Sequence, residues 1–191
     1  MSEWLEARAA HHDVVRWATA YGDDWQRLWD ECPRGDWLLG LAARLGVERP
    51  RLVLAAAAAA RTAFDALPAD ERRPHAAIEL AEAWAGGSAS AEACRSEALE
   101  LERFCPPDPA VSAVAAACLS TLLAIDDPES AAGAASNAAQ ASLFGAGDCA
   151  LLSLLSYSQR QTAERVREHL PFELVAGSLD SARGGGARTA E

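Results

Sequence analysis

The chain has no lysine: all 17 basic residues among its 191 positions are arginine. The base composition of the coding gene explains that bias as readily as function does. Aromatic residues make up only 6% of the sequence, and alanine supplies the largest share of its apolar half. The β-branched and aromatic runs that strands need are therefore scarce. Alanine is the strongest helix former and lets helices approach closely, so the composition predicts an all-α fold. Long hydrophobic runs are missing too. The longest, Leu52 to Ala60, falls far short of the ~20 residues that cross a bilayer, and it reads as a core helix. Glu3 and Glu6 stand where a secretory leader would carry basic residues, so none is expected. None of the five cysteines (Cys32, Cys94, Cys105, Cys118, Cys149) forms a Cys-x-x-Cys pair. Four of them fall on or beside expected apolar faces, where free cysteine packs as a small hydrophobe. A reduced, cytoplasmic protein is the natural reading.

Positive charge is also in short supply, leaving a formal net charge of −11. A nucleic-acid binder draws most of its affinity from arginine and lysine on phosphates, so that class is disfavoured, as are anionic membranes. Acidity suits a basic protein partner instead. The excess is concentrated between residues 90 and 148. There Glu92, Glu97, Glu100, Glu102, Asp108, Asp126, Asp127, Glu129 and Asp148 face only Arg95 and Arg103, a net of −7.

What is present is a succession of helix signals. The most complete runs from Cys32 to Gly46. Pro33 and Gly35 break what precedes, and Asp36 is placed to cap a new helix. Leu38, Leu41, Ala42 and Leu45 follow as one apolar stripe. Gly46 supplies a left-handed stop, with Val47 set to fold back as in a Schellman cap. Before it, one helix is expected from Ser2 to Tyr21, and a second, capped by Asp23, through Cys32. After it, helices are expected from Pro50 to Leu67, from Pro74 to Ala85, from Ser90 to Cys105 and from Asp108 to Ile125. Three more follow: Asp127 to about Gly145, Cys149 to Leu170 behind an Asp148 cap, and Pro171 to Leu179. At 191 residues one core is the default, burying roughly 70% of the unfolded surface. The expectation is a single helical domain over 1–180, an irregular multi-helix bundle or helical-hairpin array of about nine or ten helices. Residues 181–191, with Gly184-Gly185-Gly186, have little to bury and should be disordered.

The string Cys-x-Arg-Gly-Asp-Trp-Leu-Leu-x-Leu-Ala-x-Arg-Leu-Gly at residues 32–46 resembles the signature of a family of immunity proteins from bacterial polymorphic toxin systems. Trp25 to Trp29, Arg73-Pro74-His75-Ala76-Ala77-Ile78-Glu79 and Trp84-Ala85-Gly86 fit the same resemblance, as does the closing Arg167-Glu168-His169-Leu170-Pro171-Phe172. The resemblance implies an all-helical protein without enzymatic activity. Arg34, Gly35, Asp36, Trp37, Leu38 and Gly46 are its structural motif.

Signatures of chemistry are sparse. There is neither a phosphate-binding loop nor a Gly-x-Ser-x-Gly elbow. His11-His12-Asp13 puts adjacent side chains ~100° apart on a helix, which suits solvent better than one metal. Cys149 would start a helix, but Asp148 beside it disfavours a thiolate. Trp25, Trp29, Trp37 and Trp84 could line a pocket, yet their helical spacing places them in the core first. Neither a catalytic residue nor a metal or cofactor is expected. The candidates for partner binding are Glu97, Glu100, Glu102, Asp126, Asp127 and Glu129. The reading is an immunity protein that binds and neutralises a cognate toxin. The alternative is a helical protein–protein adaptor or regulatory module, and the residues leave the oligomeric state open.

Overall fold

A helix that presents alanine on several sides can be surrounded by other helices at close range, and two such helices form the centre of this protein. The first is α5 (Arg49–Arg61), whose Ala55, Ala56, Ala57, Ala59 and Ala60 are all fully buried. The second is α9 (Ala131–Ala141), which buries Ala131, Ala134, Ala135 and Ala138. The computed structural model describes residues 1–8, 10–144 and 151–184. Those residues form eleven α-helices and no strand.

The remaining helices are α1 (Ser2–Glu6), α2 (His12–Ala18), α3 (Trp25–Glu31), α4 (Gly35–Arg44), α6 (Arg73–Ala85), α7 (Ala91–Glu102), α8 (Pro109–Leu123), α10 (Leu151–His169) and α11 (Phe172–Gly184). Around the centre, α5 packs on α4, α6, α8, α9 and α10, while α9 also meets α4, α8 and α10. Helices α6, α7 and α8 pack on one another, with α7 on the outside. A chelated Arg61–Glu82 pair, at 2.9 and 2.7 Å, ties α5 to α6.

Most expected starts and stops are where the sequence places them. Ser90 and Asp108 cap α7 and α8 by accepting the Ala93 and Ala110 amides at 3.1 and 2.8 Å. Asp127 accepts from the Glu129 amide ahead of α9. Gly46 has φ +75°, and the Gly46 and Val47 amides reach Ala43 O and Ala42 O, both at 3.1 Å. That is the Schellman pattern, with Val47 buried.

Several details differ. The expected first helix is split into α1 and α2, which accounts for the eleventh helix. Asp24, not Asp23, caps α3, because Asp23 accepts from the N-terminal ammonium at 2.7 Å. Arg34 occupies the N-cap of α4 and Asp36 lies within its first turn. Helix α5 stops at Arg61 and gives way to a 3-10 turn over Phe64–Ala66. Cys32, Cys94 and Cys118 are buried, but Cys105 lies beyond the end of α7 and is exposed. The last helix continues past Leu179 to Gly184. Gly145, Asp148, Cys149 and the tail 185–191 lie outside the described residues.

Candidate functional site

Two regions hold the residues singled out by sequence. The first is the start of α4, where it meets α3 and α10. Arg34 holds Asp36 through two hydrogen bonds, Nε to Oδ1 at 3.0 Å and Nη2 to Oδ2 at 2.6 Å, and lies 4.5 Å from the Trp37 ring centre. The carboxylate raises the Arg34 pKa, fixing its charge. Gly35 explains the missing side chain between them. A Cβ there would lie 2.6 Å from Thr162 Oγ1 and 2.8 Å from the Thr162 carbonyl carbon, so α10 passes over bare backbone. Trp29 Nε1 donates to Leu170 O at 3.1 Å, while Arg167 Nη1 donates to Cys32 O at 2.8 Å and Trp29 O at 3.3 Å. Two carbonyls at the end of α3, those of Trp29 and its C-cap Cys32, are thus satisfied by Arg167 of α10. Burial pushes the Cys32 thiol up to about 12.

A cleft of about 270 Å³ opens beside this junction, with Arg34, Asp36, Trp37, Arg44, Glu129 and His11 on its walls. Its charges are already engaged. Arg44 donates to Arg8 O, Gly40 O and Glu129 at 3.1, 3.0 and 3.3 Å. His11 Nδ1 accepts from the Asp13 amide and caps α2. Of the tryptophans, Trp25 and Trp29 are buried, whereas Trp37 and Trp84 are half-buried. Leu38 is fully buried beneath the motif.

The second region is the outer edge formed by α7, α8 and the connection to α9. The six candidate carboxylates do not form one face here. Asp126 takes a bidentate contact from Arg95 at 2.8 and 2.9 Å, which holds its pKa below the usual carboxylate range. Asp127 is committed to capping, through the Glu129 amide and Ser130 Oγ. Glu129 turns toward Arg44 and belongs to the cleft beside α4. Glu100 pairs with Arg103 at 2.8 Å. Glu97 and Glu102 have no ion-pair partner among the described residues, and they sit on different sides of α7. Glu97 and Glu100 border a small hollow with Arg73, whose guanidinium stacks 3.5 Å from the Phe104 ring centre. Glu102 and Asp126 instead border a groove between α7 and α8, about 330 Å³ in volume.

That groove contains what the sequence reading passed over. Leu99 is 53% exposed and Leu123 46%, and both lie on its walls with Ala98, Leu119 and Leu122. The signal was available: each leucine falls off the apolar stripe of its own helix. The contacts of Arg167, named above only within the resemblance, and of Thr162 were also missed, because their partners lie far away in the chain.

Among the described residues no three His, Cys, Asp or Glu side chains are grouped to hold a metal ion, and no helix is long and apolar enough to cross a membrane. No protein-family model, curated protein or solved structure matches the chain.

Proposed function

We propose that this is a cytoplasmic immunity protein that neutralises a cognate bacterial toxin by binding it, without catalysis of its own. The resemblance at residues 32–46 motivates the immunity assignment, and the outer edge carries the binding part. Glu102 stands there without an ion-pair partner among the described residues, beside exposed Leu99 and Leu123. Carboxylates of this kind attract a basic partner and raise its association rate, while apolar side chains hold it once docked. The Arg34–Asp36–Trp37 motif contributes support for the scaffold rather than a reactive group.

Co-expression with the product of the adjacent gene tests the reading. Cells making that product should survive when the chain is present, and the two purified proteins should bind. Absence of both protection and binding overturns the immunity assignment and leaves the adaptor reading in front.

A further inference from the structure

Helix α7 offers Arg95, Ala98, Leu99 and Glu102 along a single ridge, at spacing i, i+3, i+4, i+7, and this ridge forms one wall of the groove. Leu119, Leu122, Leu123 and Asp126 form the other wall. The short side chain of Ala98, 7% exposed, and the nearly buried Leu122 at 3% form a floor, while Leu99 and Leu123 rise at either side. Leu99 and Leu123 stand half in water on adjacent helices, outside the buried core to which Leu101, Val114 and Cys118 belong. Charge surrounds this apolar strip. Glu102 carries no ion pair among the described residues, and Asp126 and Glu92 share the single guanidinium of Arg95. Arg49, which donates to Ile125 O at 3.2 Å, also lies near Asp126, so the three carboxylates Glu92, Glu102 and Asp126 face two guanidinium groups and the rim is negative by one charge.

We propose that the α7–α8 groove receives a basic amphipathic helix of a partner protein, its apolar side chains seated between Leu99 and Leu123 and its arginines or lysines on Glu102, Asp126 and Glu92. A groove between two helices accepts a third helix as ridges enter grooves, which suits anchors at i, i+3, i+4 and i+7. The charge selects among occupants. A second copy of this chain would bring the same acidic rim against itself, and nucleic acid or an anionic membrane would be repelled. The inference rests on the protein-binding reading above and names the surface and the chemistry of the partner.

The probe is a labelled peptide of about five helical turns with leucines on one face and lysines on the other. Two comparison peptides have glutamate in place of lysine or a central proline. The wild-type protein should bind the basic peptide and neither of the others. Leu99→Ser with Leu123→Ser should weaken binding about tenfold or more. Glu102→Arg should weaken it and flatten its salt dependence. Glu97→Arg with Glu100→Arg changes more charge but on the other side of α7, and should leave the affinity within about twofold. Equal loss in the two charge variants, retention in the leucine variant, or a wild-type dimer that the leucine variant dissociates overturns the proposal.

The same leucine variant is then placed in the co-expression assay. Full protection by the variant removes the groove from the mechanism while the immunity reading stands. If even the wild type fails to protect, the immunity reading falls and the peptide result still decides the groove.

Discussion

The α4–α10 junction and the α7–α8 edge use the same chemistry to opposite ends. Each has an arginine chelating an aspartate beside large apolar side chains. At the junction the pair is Arg34–Asp36, with side chains 32% and 15% exposed, stacked on Trp37 under the edge of the fold. At the outer edge it is Arg95–Asp126, with both side chains 52% exposed, and the neighbouring leucines stand in water. Water decides what the two pairs are worth. Screened ion pairs add little to stability, so the outer pair is available for exchange with a partner, while the covered pair belongs to the scaffold. A motif that is distinctive in sequence is therefore not automatically the part that meets other molecules.

The comparison breaks most easily at Gly35. Gly35→Ala should destabilise the protein by about 3 kcal/mol, at the upper end of overpacking effects, because the new methyl meets the Thr162 backbone as well as its side chain. Gly133→Ala serves as the reference. There the nearest atom is Ser120 Oγ at 2.6 Å, which can rotate away, with Ser120 Cβ at 3.1 Å, so a few tenths of an ångström of adjustment suffices. Denaturant unfolding measures both. Equal stability losses would mean that α4 and α10 are not held as closely as their contact implies.

The thiols sharpen the same contrast. Burial lifts Cys32, within the junction, to about 12, against an ordinary value near 8.5. A raised folded-state pKa means that the folded protein holds the proton after the unfolded chain has lost it. The associated stability is complete below about pH 8.5 and is lost as pH rises through about 12. The loss is at most about 1.4 kcal/mol per pH unit for this thiol. Unfolding free energies between pH 8 and 11 should fall less steeply in Cys32→Ala. At neutral pH a thiol reagent followed by mass mapping should modify exposed Cys105 long before Cys32. Rapid modification of Cys32 would show that the junction opens.

How much of this was legible depends on the distance between cause and effect in the chain. Ser90, Asp108 and Gly46 act on amides a few residues away, and the sequence identified all three. Asp36 was misassigned for a reason that lies elsewhere: Gly35 looked like a helix breaker, but it is glycine because Thr162 passes over it. Phe64 continued the apolar stripe of α5 although the chain had already tightened into a 3-10 turn, since the two periods agree over one turn. Asp23 and Asp24 are adjacent and equally suited to capping, and only the folded position of Met1 separates them. At the outer edge the acidic residues were visible as a count. Their division between the two sides of α7, and the turn of Glu129 toward Arg44, required the tertiary arrangement.

The smallest effect is expected at the outer edge. Leu99→Ser and Leu123→Ser should each change the unfolding free energy by no more than about 0.5 kcal/mol, since both side chains are already about half exposed and surface changes away from special features rarely exceed that. The expectation is demanding because replacing a buried leucine costs several times as much: Leu38, at 0% exposure beneath the junction, should lose about 3 kcal/mol on truncation to alanine. Thermal and denaturant melts of Leu99→Ser, Leu123→Ser and Leu38→Ala in one buffer separate the cases. Near-neutral serine variants mean that the fold does not need these leucines, which leaves binding as their use. A loss approaching that of Leu38→Ala would make the groove walls part of the core and remove the distinction between the two regions.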